Sequence, residues 1–164
     1  MIKVRTSVKL ECNDKEWKKM EKRLLRQVDK QIDIGWWGTK HPTGVPTAQV
    51  AAWNEEGHHN GGFMAGTRTP PRPFIRTVFI PEAKKILRSY AKTIFHNIAT
   101  GRMTYETMNR KMADDLTKQM KKAILEWDKP RNGPYTISQK GFDDPLIHTG
   151  NMYDAVRYRI VRSK

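Results

Sequence analysis

The feature that most constrains the fold is a pair of apolar stripes at helical spacing in the second half of the chain. Members of the first stripe recur every three or four residues, which is the period of one helix face: Ala83, Ile86, Leu87, Tyr90, Ala91, Ile94, Phe95 and Ile98. The second stripe comprises Tyr105, Met108, Met112, Leu116, Met120, Ile124 and Trp127. Gly101 and Thr104 supply a helix stop and a helix cap between them. We therefore expect a long antiparallel helical hairpin whose two stripes are core.

Alternation of apolar and polar residues predicts a few strands separated by helices. Residues 2–10 alternate strictly, "QIDIGWW" is a second candidate strand, and "AVRYRIV" alternates near the C-terminus. Asn13 and Glu16 have the spacing of a capping box, so a helix is expected from there to about Lys30. Thr47 is expected to cap a short helix that ends at Gly57. This order favours an α+β fold, a small mixed β-sheet packed against the helical hairpin.

Two segments read as loops within a single domain that spans residues 1–164. Residues 57–69 contain four glycines and no apolar period, which predicts a long mobile loop. Residues 129–145 are rich in turn-forming residues and predict an exposed loop. We find no internal repeat and no linker, and the length of 164 residues suits one domain.

The chain carries a large positive charge. Lys and Arg number 31 against 17 Asp and Glu, a formal net charge of +14. Such a surplus favours an anionic partner, and a solvated surface is the alternative. The candidate DNA-facing residues lie on the predicted helices: Lys18, Lys22, Arg26, Lys118 and Lys122. No helix-turn-helix, zinc-finger or aromatic-platform signature accompanies them.

The sequence contains no motif for catalysis, for a cofactor or for a metal. The single cysteine, Cys12, cannot form an internal disulfide, which favours a reducing cytoplasm. His58 and His59 are adjacent, and adjacent residues seldom ligate one metal. Scattered carboxylates leave a hydrolase as one further alternative. No apolar run reaches the roughly 20 residues of a membrane span, and the N-terminus does not read as a signal peptide. We predict a non-enzymatic chain without cofactor, metal or membrane contact.

Three short motifs occur in the order found in one known family. They are "VAAWNEEG", "TPPRPFIRTVF" and "DDPLIHTGNMYDAVRYRI". Together they resemble the tail-completion, or head–tail joining, proteins of long-tailed bacteriophages, also called virion-morphogenesis or minor tail proteins. The matching residues are Asn54, Glu55, Gly57, Pro71, Arg72, Pro73, Phe74, Pro145, Leu146, Ile147, Thr149 and Gly150. Glu56 departs from the usual aromatic residue, and His148 from a common aspartate.

The resemblance implies a structural virion protein of the phage neck or tail end, assembled in the host bacterial cytoplasm. Members look like subunits of a homo-oligomeric ring, expected to be a hexamer. Their implied partners are the tail tube or tail terminator, the head–tail connector and, transiently, genomic DNA in the channel. The implied interface residues are Glu55, Gly57, Phe63, Arg68, Pro71, Arg72, Pro73, Phe74, Arg76, Leu146, Thr149 and Gly150.

Two alternatives stay open at this point. In the ring interpretation, residues 57–69 form an arm that reaches a neighbour, and the proline-rich segment behind it is a stiff anchor. The first alternative is that "PPRPF" only begins the helix near Pro81. The second is a nucleic-acid-binding protein that forms no ring and uses its basic helix faces.

Overall fold

The computed structural model describes residues 14–25, 30–61 and 66–162, and it mixes helix with strand, as the α+β prediction requires. The strand expected at residues 2–10 lies outside the described residues. The elements in chain order are α1 (Asp14–Leu25), β1 (Lys30–Gly35), α2 (Thr47–Glu56), β2 (His58–His59), β3 (Arg68–Thr69), a π-helical turn (Ile75–Phe79), α3 (Ile80–Ala99), α4 (Tyr105–Leu125), α5 (Pro134–Lys140), α6 (Asn151–Asp154) and β4 (Arg157–Arg162).

The described strands form two antiparallel pairs, so the predicted mixed sheet is wrong for this part of the chain. Strand β1 pairs with β4, and β2 pairs with β3. The register places Ile32 opposite Ile160. Because side chains on opposed residues share one face of a sheet, this register joins the two apolar sides that the alternation predicted. On the other face, Asp33 accepts a hydrogen bond from Arg159 Nε at 2.9 Å.

The connection between the long helices follows the sequence prediction closely. Thr104 is the N-cap of α4, and its hydroxyl oxygen accepts a hydrogen bond from the Thr107 N–H at 3.2 Å. Gly101 has a φ of 69° just after the end of α3. Helices α3 and α4 contact each other, and the Tyr90 hydroxyl donates to Asp115 at 2.5 Å. The predicted stop and cap are therefore confirmed.

The core lies where α4 meets the sheet and the start of the π-helical turn. The Trp36 ring packs edge-on against the buried Phe74 ring, with centroids 6.4 Å apart. Its indole N–H donates to the Met152 carbonyl at 2.7 Å. The buried cluster comprises Ala51, Phe74, Met120, Ala123, Ile124, Leu146, Met152 and Val156.

The two helical stripes are buried to different extents. Met108, Leu116, Met120 and Ile124 of α4 are buried, as predicted. On α3, however, Leu87 keeps 44% of its surface exposed, so the core prediction is wrong there. The reason is position: α4 contacts both strands of the larger sheet, α6, the π-helical turn and α3. Helix α3 contacts the π-helical turn, α4 and α1.

Both predicted loops contain regular structure. Residues 129–145 include α5, which Gly141 ends with a φ of 78°, so the prediction of an exposed loop is wrong there. Proline at the first helical position and glycine after the last are the local reasons. In residues 57–69, β2 and β3 close the base of the loop, and the Asn60 N–H donates to the Thr67 carbonyl at 3.0 Å. Residues 62–65 lie outside the described chain, and mobility of this loop stays a prediction.

Helix α2 begins one residue earlier than a Thr47 cap requires. Thr47 is its first residue and Pro46 is the N-cap, so the predicted capping role is wrong. The Thr47 hydroxyl is buried and has no hydrogen-bond partner within the described residues.

Candidate functional site: a polar junction and an adjoining basic cleft

Glu55 ties the end of α2 to the start of the helix that leads into α3. Its side chain lies in the interior, and the residue is 6% exposed. The carboxylate accepts hydrogen bonds from the backbone N–H groups of Ile75 at 2.9 Å and Arg76 at 3.1 Å, and from Arg76 Nε at 3.0 Å. The first N–H groups of a helix lack partners within the helix and favour a negative charge. Glu55 therefore caps this helix from a different helix.

Arg72 is the second buried charge of the junction and is also 6% exposed. Its backbone N–H donates to the Asn54 carbonyl at 2.7 Å. Its guanidinium donates to Pro130 O at 3.3 Å, to Asn54 Oδ1 at 3.4 Å and to Asn132 Oδ1 at 3.1 Å. Burial lowers the pKa of Arg72, and the nearby Asp143 charge acts in the opposite direction. Arg72 thus joins α2 to the segment before α5.

Gly57 allows the chain to cross close to itself at this junction. It adopts a φ of 71°, which is the left-handed region that favours glycine. A Cβ atom placed there would lie 2.8 Å from both Pro71 N and Thr69 O. The glycine of the "NEEG" motif is therefore required by the close approach of the segment that leads into "PPRPF".

The third motif reaches the same region from the C-terminal side. Pro145 and Leu146 are buried, and Leu146 belongs to the core cluster. Gly150 has a φ of 78° and is the N-cap of α6, whose Asp154 N–H donates to the Gly150 carbonyl at 2.9 Å. Motifs far apart in the sequence therefore converge on one structural junction.

The structure changes the physical role of several predicted interface residues. Glu55, Arg72, Phe74 and Leu146 are buried by contacts within the chain. A role for these four residues at a subunit interface stays a prediction. The alternative in which "PPRPF" begins a helix describes the local role of this segment, because Phe74 is the N-cap of the π-helical turn. Of the others, Arg68, Pro71, Thr149 and Arg76 are exposed, Gly57, Pro73 and Gly150 are half-buried, and Phe63 lies outside the described residues.

The candidate DNA-facing residues are not equivalent. Lys18 and Lys22 are exposed on α1, and Arg26 lies outside the described residues. On α4, Lys118 Nζ lies 3.7 Å from an Asp115 oxygen, and Lys122 Nζ lies 3.9 Å from a Glu126 oxygen. Neighbouring carboxylates reduce the local positive potential of the α4 pair.

A cleft of about 610 Å³ adjoins the junction, between the β2–β3 ribbon, α5 and the segment that precedes α6. Arg72 lies in its wall, and no Asp or Glu of the described chain is among its lining residues. Burial lowers the pKa of Lys140, the positive charge of Arg72 lowers it further, and the nearby Asp144 and Asp143 act in the opposite direction. The other basic side chains of the lining are His41, His58, Arg68, Arg131 and His148.

Sequence reasoning missed this cleft, because residues 131–140 read as an exposed loop. The two adjacent histidines lie in different environments. The His58 ring stacks on Trp53 with centroids 5.1 Å apart, and its Nδ1 is buried without a hydrogen-bond partner in the described chain. His59 is exposed. Pro134 before "YTISQK" and Gly141 after it could have predicted α5 from the sequence, because proline favours the start of a helix and glycine its end.

Within ranges 14–25, 30–61 and 66–162, no group of three or more His, Cys, Asp or Glu residues is placed to hold a metal ion. None of the helices described is both long and apolar enough to cross a membrane. Comparison of the chain with protein-family models, with curated proteins and with solved structures gives no match.

Proposed function

We propose that this chain is a non-enzymatic structural protein that forms a homo-oligomeric ring and completes the tail of a bacteriophage at its junction with the head. The motif resemblance supplies the virion setting. The structural observation that carries the proposal of assembly is the exposed apolar face of α3. The proposed location is the neck or tail end of the virion, after assembly in the bacterial cytoplasm.

The apolar face of α3 is suited to contact with another subunit. Ile80 and Leu87 lie seven residues apart on this helix, and they are 38% and 44% exposed. Leu125, at the end of α4, is 57% exposed. Exposed apolar side chains that form a patch mark interaction surfaces, since their burial is worth about 25 cal/mol per Å². An antiparallel hairpin of α3 and α4 would present this face to a neighbouring subunit.

The junction supports the same proposal through rigidity. Glu55 fixes the first turn of the helix before α3, and Arg72 fixes the segment that enters it. A helix held at its start keeps its outer face at a defined angle, which a closed ring requires. Residues 57–69 would form the adaptable arm that reaches the next subunit, with exposed Arg68 at its base.

The proposed partners are other copies of this chain, the tail tube or tail terminator, and the head–tail connector. The Lys and Arg residues that give the chain its formal charge of +14 would face DNA in the channel or acidic surfaces of these proteins. A ring of six subunits follows from the resemblance alone.

One observation favours a second candidate function, nucleic-acid binding without a ring. Lys18 and Lys22 are exposed on the same side of α1, four residues apart. Such a face is suited to phosphate contacts. A salt-dependent shift of DNA mobility by a monomeric protein would support this function over the ring.

Size-exclusion chromatography with light scattering tests the ring proposal. The parent chain is expected to elute as a closed oligomer, and Leu87→Glu should elute as a folded monomer because a charge replaces an apolar contact. Ser89→Glu is the matched control, since this exposed residue lies on another side of the same helix and should leave the oligomer intact. A monomeric parent chain, or a Leu87→Glu variant that still forms the parent oligomer, would contradict the proposed interface.

A further inference from the structure

Positive charge that is only partly neutralised lies in the wall of the basic cleft. The guanidinium of Arg72 makes three hydrogen bonds, and all three acceptors are neutral oxygens. Within the described part of the chain, no carboxylate lies within ion-pair distance of it. Asp143 attracts it at longer range while accepting the Asn132 N–H and lying 3.8 Å from Arg131 Nε. A guanidinium has five N–H donors, so two remain for a ligand.

Asn132 adds a donor that the described chain does not use. The residue is 8% exposed and lines the cleft. Its Oδ1 accepts from Arg72, while its Nδ2 is buried without a hydrogen-bond partner among the described residues. Native proteins leave few buried donors unpaired, so this donor is suited to an acceptor bound in the cleft.

Lys140 brings a second charge to the same wall. Its ammonium donates to the Asp144 carbonyl and lies over the Phe142 ring at 5.0 Å from the centroid. An ammonium has three donors, so further bonds are open to it. The positive charge of Arg72 lowers the pKa of Lys140, while Asp144 and Asp143 act in the opposite direction, so the repulsion between the two cations is partly offset. An anion between them would relieve this repulsion and gain from both charges.

We propose that the cleft binds a phosphate monoester, with Arg72, Asn132 and Lys140 as the donors to its terminal oxygens. A monoester near neutral pH carries close to two negative charges and has three strong acceptor oxygens. These properties match the two cations Arg72 and Lys140 and the separate donors of the cleft better than a single carboxylate does. Arg68 and Arg131 are exposed at the lining and add positive potential. The site is distinct from the apolar face of α3 and does not depend on ring formation.

The remainder of the cleft is suited to the organic part of such a ligand. Val50, Leu146, Ile147 and Met152 line it together with Tyr135. A volume of about 610 Å³ falls within the range of small-molecule sites, which combine an apolar wall with a few polar groups. A nucleoside monophosphate and free inorganic phosphate share the proposed chemistry, and the apolar wall would favour the first.

Isothermal titration calorimetry at constant ionic strength tests the proposal with four probes. Thymidine 5′-monophosphate and inorganic phosphate are expected to bind, whereas thymidine should not. Tighter binding of the nucleotide would identify an organic phosphate as the ligand, and equal binding would identify the phosphate group alone. Glutarate is the carboxylate probe, and glutarate binding as tightly as the nucleotide would overturn the assignment to phosphate. Absence of phosphate and nucleotide binding at millimolar concentration would overturn the site itself.

Lys140→Gln provides the matched variant, because Lys140 lies at the cleft and its loss leaves the buried Arg72 network in place. We expect it to weaken nucleotide binding by about tenfold, which is the effect of losing one charge-assisted contact. Lys129→Gln, at an exposed residue outside the lining, should change the affinity by less than about twofold. In the parent chain, the Arg72 side-chain N–H resonances should shift on nucleotide addition. Equal effects of the two variants, or unshifted Arg72 resonances, would contradict the proposal.

Discussion

Replacing Glu55 by glutamine tests whether a buried carboxylate fixes the start of the helix that enters α3. The substitution keeps the size of the side chain and removes its charge. The carboxylate accepts two backbone N–H groups, at 2.9 and 3.1 Å, and an Arg76 N–H at 3.0 Å. Glutamine has one carbonyl oxygen and one NH₂ group. The NH₂ group therefore replaces one of the two carboxylate oxygens, and this donor then faces another donor.

The expected loss of stability follows from these contacts. A hydrogen bond to a charged group contributes about 1.5–3 kcal/mol, and a bond between neutral groups about 0.5–1.5 kcal/mol. Of the two backbone bonds, the one that glutamine retains weakens by about 1 kcal/mol, and the one that it loses costs about 1.5–3 kcal/mol. The third bond, from the exposed Arg76 side chain, contributes little. We therefore expect Glu55→Gln to lower the free energy of unfolding by about 2.5–4 kcal/mol, out of a typical total of about 5–15 kcal/mol.

Urea denaturation followed by circular dichroism measures this difference. The matched control is Glu56→Gln, because the Glu56 side chain is 65% exposed and pairs with the exposed side of Arg76. The control should leave the unfolding free energy unchanged within error, since exposed pairs contribute little. Arg76→Ala should lower the free energy of unfolding by only a minor part of the Glu55→Gln value, because the two backbone hydrogen bonds account for most of that value. Equal, small effects of Glu55→Gln and Glu56→Gln would refute the capping role.

Three further predictions concern the core, the junction glycine and Tyr90. Ile124→Ala should lower the unfolding free energy by about 2–5 kcal/mol in urea denaturation, whereas Leu125→Ala, at a 57% exposed neighbour, should cost less than about 1 kcal/mol. Gly57→Ala should lower the thermal midpoint, because the new Cβ would lie 2.8 Å from backbone atoms at a φ of 71°; an unchanged midpoint would contradict the close approach. Burial and the hydrogen bond to Asp115 raise the pKa of Tyr90 to about 12, so its contribution to stability should be complete below about pH 10 and lost as pH rises towards 12. Near-ultraviolet titration of the phenolate in the parent and in Tyr90→Phe checks this, and a Tyr90 that ionises near pH 10 would contradict it.

Local signals in the sequence predicted the elements that depend on neighbouring residues alone. The Gly101 stop, the Thr104 cap and the strand around Tyr158 are confirmed because each rests on backbone conformation or on alternation along one strand. Four members of the stripe on α4 are buried as predicted, since that helix contacts more elements than α3 does. Leu87 has the same periodicity on α3 but is 44% exposed. Periodicity identifies a helix face and does not reveal how many elements will cover it.

The candidate site depended on contacts that no local pattern contains. Glu55 was predicted to face a neighbour, but it accepts N–H groups from the start of another helix. The resemblance implied that Arg72 is an interface residue, but its guanidinium donates to Asn132, in a segment that was predicted to be an exposed loop. Both residues were singled out through the motif resemblance, and the structure shows the contacts that each makes within the chain. Their roles emerged only when distant segments met in the fold.

Electron cryomicroscopy of the purified chain, under conditions where light scattering shows an oligomer, tests the ring proposal most directly. We predict a closed ring around an open channel, with Leu87 at the contact between adjacent subunits and residues 57–69 extending onto a neighbour. Hexameric symmetry is the expected count. Open or asymmetric particles, or a closed ring in which the Leu87 side of α3 faces solvent, would contradict the proposed assembly.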